Sequence, residues 1–475
     1  MVHIIPSRGT HLILIALLLV SVLGITTVAS VRGQNTLDAQ LQEAIATHGI
    51  TALAPAPASS AAQIELGRLL FFDKLLSGNR DIACATCHHP TLASGDGLCL
   101  PVGTGGVGLG PDRKIGHEHR FVPRNAPEIF NRGDPLWTSQ FWDSRMTRQP
   151  DGSINSPAGA QLPGVDVLDT VLTAQAMFPV TSRDEMRGKA GDVDIYGQPN
   201  EIALLDDTDF SGIWQALMTR VLAVPAYVDR FALAYPDVPV EELGFEHAAR
   251  AIGVFEADAF TLLDSPWDRY LRGDMGALSD DAKRGALLFY GDAGCVSCHS
   301  GPLMTDQQHH NIAVPQLGPG KGAESPLDYG HGRETGVESD YFTFRTPPLR
   351  NVSVTGPYMH NGAYHSLEAV IEHHGDPATA LQTFDVDQHL PTALRDTCQD
   401  DPALIATMLS NVDPLLQEPL DLSAQQVADL VAFLEALTDP AVADLEQMIP
   451  ATVPSGLPVQ DTVEWFYLPL IRGRP

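Results

Sequence analysis

The chain has 475 residues, 44% of them hydrophobic, and a formal net charge of −30. That length allows two or three domains with sizeable cores. The charge argues against nucleic acid as a partner, because binding it needs a basic face. It suits equally a basic protein partner, steered from a distance, and plain solubility outside the cytoplasm.

In chain order, Arg8 precedes an apolar stretch from Leu12 to Leu23, and small residues follow at Ala29 and Ser30. Residues 1–34 therefore read as an export signal with a cleavage site. Extended through Val28, the apolar run is just long enough to span a bilayer, which leaves an uncleaved anchor open. The rest of the chain is expected to be periplasmic or otherwise extracytoplasmic, soluble or tethered. The Ala- and Pro-rich "TALAPAPASSAAQ" (51–63) reads as a flexible lead-in.

Next comes "LGRLLFFDKLLSGNRDIACATCHHP", in which Cys84, Cys87 and His88 make a C-x-x-C-H. "KRGALLFYGDAGCVSCHSGP" repeats it at Cys295, Cys298 and His299. Both motifs follow a G-x-x-L-F-aromatic segment, Gly67 to Phe72 and Gly285 to Tyr290. Two thiols three positions apart can form thioethers to the two vinyl groups of one haem, and the adjacent His then reaches the iron. The apolar residues before each motif fit a helix packed on the haem. The pattern is an internal duplication with two covalently bound c-type haems. Two zinc knuckles are the alternative, but no further Cys pairs complete their ligand sets. Of the six cysteines, Cys99 and Cys398 remain, and they leave a disulfide or two separate buried thiols open.

Between and after the motifs, four windows offer chemistry. "IGHEHRFVPRNAPEIF" carries His117 and His119, "SQFWDSR" carries Trp142, and "AQAMFPVTSRDEM" carries Gln175 and Glu185. "FRTPPLRNVSVTGPYMHNGAYHSLEAVIEHHGD" carries His360, His373 and His374. Two stretches, "SGDGLCLPVGTGGVGLGPDRKIGHEH" and "QPDGSINSPAGAQLPG", read as inserted loops, either functional or disordered. Phe245, Ala248, Ala249, Ile252, Phe255 and Phe260 form one helical face that stops near Asp264–Ser265–Pro266. "DPATALQTFDVDQHLPTALRDTCQDDP" reads as an acidic insertion, and "SAQQVADLVAFLEALT" as a final helix capped by Ser423. Strand signals are few. The expected fold is mainly α, with two cytochrome c-like haem domains in tandem, few short strands and long loops.

Taken together, "LGRLLFFDKLLSGN", "PRNAPEIFN", "QFWDSR", "FRTPPLRNV" and "GPYMHNG", in order around two C-x-x-C-H sites, resemble the bacterial di-haem cytochrome c peroxidases, the family that also contains the MauG enzymes. The likeness runs from about residue 62 to 375, and weakly again near "VADLVAFLEALTDP". It implies His88 as proximal ligand of the N-terminal, peroxide-reacting haem, and His117 as a removable distal ligand that swings away when the other haem is reduced. Glu185 matches the family's catalytic carboxylate, with Gln175 the amide beside it. Heterolysis of a peroxide O–O bond requires moving a proton from the inner to the outer oxygen, and a carboxylate can take and return it. Trp142 matches the tryptophan between the haems. His299 resembles the proximal ligand of the C-terminal haem. His374 falls where peroxidases carry Met and MauG carries Tyr, which suggests a bis-His haem of lower potential, with His373 the alternative. The family also binds one calcium, matched here by the Asn125 side chain and the carbonyls of Thr355 and Pro357.

The resemblance implies an N-terminal domain over 35–264, a C-terminal domain over 265–440, and a tail over 441–475 packing back on the first domain. The implied activity is reduction of hydrogen peroxide with electrons from a small cytochrome c or cupredoxin; dimerisation, common in the family, stays open. A MauG-like oxidase acting on a side chain of a partner protein and a pure di-haem electron carrier are the rivals.

Overall fold

The computed structural model describes residues 36–460; residues 1–35, where the export signal or anchor is expected, and the last fifteen residues lie outside them. The described chain is mainly helical. Its strands are short: an antiparallel set β1 (Ser139–Gln140), β2 (Met146–Arg148) and β3 (Ile154–Asn155), and a pair β4 (His309–His310) and β5 (Phe344–Arg345). No helix among the described residues is long and apolar enough to cross a membrane.

The first core is built by α1 (Ala61–Phe72), α2 (Val171–Gln175), α3 (Phe210–Leu222), α4 (Pro225–Ala234) and α5 (Phe245–Ala259). Helix α1 buries Leu66, Leu69, Leu70, Phe71 and Phe72 against α5. Gly67 permits the crossing: a Cβ there would sit 1.8 Å from the Ala251 carbonyl oxygen. Phe71 and Phe255 pack with ring centroids 5.3 Å apart, and Phe260 lies 6.0 Å from Phe71. The face expected from Phe245 to Phe260 is thus the buried one, although the helix itself ends at Ala259.

The second core repeats the device. After α6 (Pro266–Leu271), capped by Ser265 Oγ, α7 (Asp280–Tyr290) crosses α9 (Ala424–Glu435), with α8 (Leu367–Gly375) alongside. A Cβ on Gly285 would lie 1.8 Å from the Asp429 carbonyl oxygen, and Phe433 is its next neighbour, as Phe255 is for Gly67. Phe289, Tyr290, Phe433 and Trp267 close the core with centroids 5.1 to 5.9 Å apart. Ser423 accepts from Gln426 N and caps α9. The duplication therefore aligns Ala251 with Asp429 and Phe255 with Phe433, and so Glu256 with Leu434. The fold is two cytochrome c-like domains in tandem.

The inserted stretches are ordered. Arg113, buried, donates to the carbonyls of Val102 (2.6 Å), Gly108 (2.8 Å) and Gly103 (2.8 Å), and so stitches the Gly-rich loop together. Residues 149–153 form the turn between β2 and β3. The acidic stretch folds into short helices whose aspartates are N-caps: Asp376 accepts from Thr379 N, Asp385 from Asp387 N and Asp401 from Ala403 N. Past α9, Leu445, Val453 and Leu457 pack into the first core, and Ser455 Oγ donates to Asp73 at 2.7 Å.

Candidate functional site

Cys84 to Cys87 form a single helical turn that leads into His88. The His88 N–H bonds back to the Cys84 carbonyl at 3.0 Å, and its ring Nδ1 lies 3.1 Å from the Ser94 carbonyl. That bond makes Nδ1 the protonated nitrogen and leaves Nε2 as a lone-pair donor. Burial holds the ring pKa low, so the imidazole is neutral, as a metal ligand must be.

The three motif residues line a cavity of about 1330 Å³, counting the part open to solvent. Leu172, Gln175, Val180, Glu185 and Met186 line it as well. Gln175 is the last residue of α2, whose first turn is capped by Thr170 Oγ1. Glu185 sits in one wide helical turn, Arg183–Arg187, whose Arg187 N–H reaches back five residues to the Ser182 carbonyl. Such turns concentrate at functional sites. The Gly-rich loop props it up: Thr104 N donates to the Glu185 carbonyl at 2.7 Å, and a Cβ on Gly103 would lie 1.9 Å from the Asp184 carbonyl oxygen. Burial raises the Glu185 pKa, while Arg145 and Lys321 pull it back. Trp142 lines the same cavity, its indole N–H bonded to the Asn125 carbonyl at 3.0 Å, and its own carbonyl accepts from Arg345 N at 2.8 Å.

The cavity suits a haem on polar grounds too. Arg132 Nη1, Gln140 Nε2 and Arg345 Nη1 are buried donors without partners in its wall. Two propionates would supply the missing acceptors. Glu256 Oε2 is unpartnered in the same wall, and burial pushes its carboxyl up to about 8. Neither Glu256 nor Lys321 stands out in the sequence; both are marked only by where the fold puts them.

His117 is not brought to this cavity. Its side chain is 93% exposed, with Glu118 as its nearest charged neighbour at 3.7 Å. His119 is better covered and lies 3.8 Å from Asp192, also outside the cavity wall.

In the second domain, the His299 N–H bonds to the Cys295 carbonyl at 2.9 Å and its Nδ1 lies 3.2 Å from the Met304 carbonyl, the same arrangement as His88. Burial and the neighbouring His374 ring hold His299 down to about 4. His374, in the last turn of α8, uses Nδ1 on the Val370 carbonyl at 2.7 Å, which turns Nε2 away from its own helix. His373 spends both nitrogens elsewhere, Nδ1 on Tyr364 Oη at 2.8 Å and Nε2 on the Ile312 carbonyl at 2.6 Å. Of the two, His374 alone keeps a ring nitrogen for a metal. His360 is buried and stacked on Phe344 with centroids 3.5 Å apart.

Asn125 donates its amide to the carbonyls of Leu98 (2.9 Å) and Cys99 (3.3 Å), and its N–H to the His360 carbonyl at 2.8 Å. That last bond ties it to the turn that carries Thr355 and Pro357. Cys99 and Cys398 are both free thiols in one apolar cluster; no disulfide joins them.

Two helical domains, each with a C-x-x-C-H turn against a helix pair, define a c-type di-haem protein. A family model for the di-haem cytochrome c peroxidases matches residues 61–276. The methylamine utilization protein MauG of Methylorubrum extorquens is 30% identical over 395 residues, covering 81% of each chain. The cytochrome c551 peroxidase of Pseudomonas aeruginosa is 30% identical over 309 residues, covering 65% of this chain and 70% of that one. Among solved structures, a MauG-like protein associated with microbial copper homeostasis is similar with a TM-score of 0.57 and 25% identity, over 82% of this chain and 95% of that one. The diheme peroxidase BthA of Burkholderia thailandensis shares the fold, with a TM-score of 0.52 and 22% identity, over 84% of this chain and 90% of that one. The chain belongs to the di-haem cytochrome c peroxidase family.

Proposed function

We propose that this chain is an exported peroxidase that reduces hydrogen peroxide to two waters, taking two electrons from a small cytochrome c or cupredoxin and two protons from solvent. One observation carries the reading: Glu185 and Gln175 line the cavity of Cys84, Cys87 and His88, whereas in the other domain the His374 ring is near enough to His299 to lower its pKa. One site is built for chemistry and the other for electron transfer.

The haems, held by Cys84, Cys87 and His88 and by Cys295, Cys298 and His299, would supply the redox chemistry. Glu185, in its carboxylate form, accepts a proton from peroxide and returns it to the departing oxygen as water. Gln175 orients the peroxide. Trp142 lies on the route between the sites, and His374 with His299 would hold the second iron. Asn125 with the carbonyls of Thr355 and Pro357 would hold a calcium between the domains; oxygen donors of this kind suit that ion. The charge of −30 favours a basic donor.

A second reading has a specific support. His117 stands away from the cavity, and a MauG is among the 30%-identical relatives. In that reading the same site oxidises a side chain of a partner protein. Steady-state peroxide consumption by the holoprotein, with either reduced donor, separates the two. Turnover that disappears in Glu185→Gln supports the peroxidase. A stored two-electron oxidation that neither donor discharges supports the side-chain oxidase.

A further inference from the structure

The cavity of the first domain has two wall residues that come from the second, Arg345 and Lys321. Lys321 lies in the loop "LGPGKGAESPLDYG", far from the N-terminal motif in sequence, yet it lines the cavity with Cys84, Gln175 and Glu185. The loop is anchored to the first domain on both sides of it. Gly318, with φ +82°, sits so close to Leu100 that a Cβ would lie 2.3 Å from Leu100 Cδ1. Asp328 pairs with Arg124 at 2.6 Å. Between these anchors the Lys321 N–H bonds to the Leu327 carbonyl at 2.9 Å. Gly320 and Gly322 flank it at φ +63° and +72° in a turn where a Cβ would strike Pro326 or Arg333. The backbone is thus committed to delivering this one long side chain to the pocket.

No hydrogen bond or ion pair among the described residues holds the Lys321 amine. The charged groups around it are Glu185 and Asp143, Arg145 and Arg124, and on its own side Asp328 and Glu334. Burial and the two arginines bring its pKa down to about 7, with Asp143 and Asp328 opposing. Lys321 in turn lowers that of Glu185.

We propose that Lys321 is a positioning residue for Glu185, a cation supplied by the second domain that keeps the carboxylate ionised and draws anions into the peroxide cavity. The proposal rests on Glu185 being the proton-handling group. Lys321 then sets the acid limb of the peroxide reaction, because an ammonium nearby favours the carboxylate over the acid.

The test uses the holoprotein with both haems in place, as wild type, Lys321→Met, Lys321→Arg and Glu185→Gln. Two quantities are followed from pH 5 to 9: the rate constant for peroxide and the affinity of the N-terminal haem for fluoride. In Lys321→Met the acid limb moves up by about one pH unit, and fluoride binding at pH 6 weakens roughly tenfold. Lys321→Arg, which keeps the charge, restores both. A wild-type acid limb and fluoride affinity in Lys321→Met overturn the proposal. So do an acid limb and a fluoride affinity in Lys321→Arg that match those of Lys321→Met. If Glu185→Gln reacts with peroxide at the wild-type rate, the reading of Glu185 fails instead, and fluoride binding still reports on Lys321.

Discussion

Arg124 in the first domain and Asp328 in the second form a buried two-pronged ion pair, Nε to Oδ2 at 2.6 Å and Nη2 to Oδ1 at 2.8 Å. The third guanidinium nitrogen, Nη1, reaches Asp143 at 2.6 Å, so one arginine holds both domains beside Trp142. The carboxyls of Asp143 and Asp328 lie far below the ordinary range because of Arg124.

Removing Arg124 strands the buried Asp328 carboxylate and leaves Asp143 with Arg145 alone. Arg124→Met is expected to cost about 3–5 kcal/mol, and Arg124→Lys, which lacks the fork, to recover only part of it. The depressed carboxyl pKa values contribute stability at neutral pH that disappears as pH falls through their folded values. Urea unfolding of the holoproteins at pH 7 and pH 2 measures this; equal midpoints for wild type and Arg124→Met at pH 7 would contradict it.

Gly67 and Gly285 admit no side chain. Gly285→Ala places a methyl 1.8 Å from the Asp429 carbonyl oxygen, so α7 and α9 must separate. The expected loss is more than about 3 kcal/mol, with reduced haem loading of the second site. A helix-surface substitution such as Asp281→Ala, at an exposed position on α7, should stay within about 0.5 kcal/mol. Thermal unfolding followed at the two Soret contributions checks both.

His374 and His373 make opposite predictions. His374→Met is expected to raise the midpoint potential of the second haem, because a thioether replaces an imidazole. It would also abolish the bis-imidazole low-spin EPR signal. His373→Ala breaks the bonds to Tyr364 and Ile312, at roughly 1–3 kcal/mol, and leaves that signal in place. A low-spin signal lost in His373→Ala and kept in His374→Met would reverse the assignment.

Glu256 is buried without a partner where the other domain has Leu434. Its folded pKa is raised, to about 8, so the native state keeps a proton that the unfolded chain releases. Stability at this site is therefore full at acid pH and declines as pH rises from the ordinary carboxylate range to about 8, then levels. Glu256→Leu should flatten that decline in urea titrations from pH 5 to 9. Parallel curves for the two proteins would contradict it.

Much of this architecture is legible in the sequence because it is local. A C-x-x-C-H dictates its own turn, and the glycine five positions before the last aromatic of each G-x-x-L-F-aromatic segment marks the close helix crossing. Ser423 caps the helix its position announces. What is not legible is decided by distance along the chain. Helix phase turns His373 inward to Tyr364 and leaves His374 with Nε2 directed away from its own helix, a difference that sequence spacing alone leaves open. Lys321 enters the first pocket through anchors at Leu100 and Arg124 that no local pattern encodes. Glu256 lies on a helix whose apolar face is evident, but its lack of a partner appears only once α5 meets the cavity. The acidic 376–401 stretch reads as charge, whereas its aspartates are spent on helix N-termini. His117, matched by resemblance to a ligand, is exposed on a loop outside the cavity wall.

The most direct measurement is stopped-flow absorbance with freeze-quench EPR of the diferric holoprotein mixed with peroxide. With His117 clear of the cavity and Glu185 in it, the diferric enzyme should show a high-spin signal from the N-terminal haem. Peroxide should erase that signal without prior reduction, and at least about a hundredfold more slowly in Glu185→Gln. A diferric enzyme with no high-spin signal that reacts only after half-reduction would put His117 back on the iron as a gate. A wild-type rate in Glu185→Gln would remove the carboxylate from the chemistry.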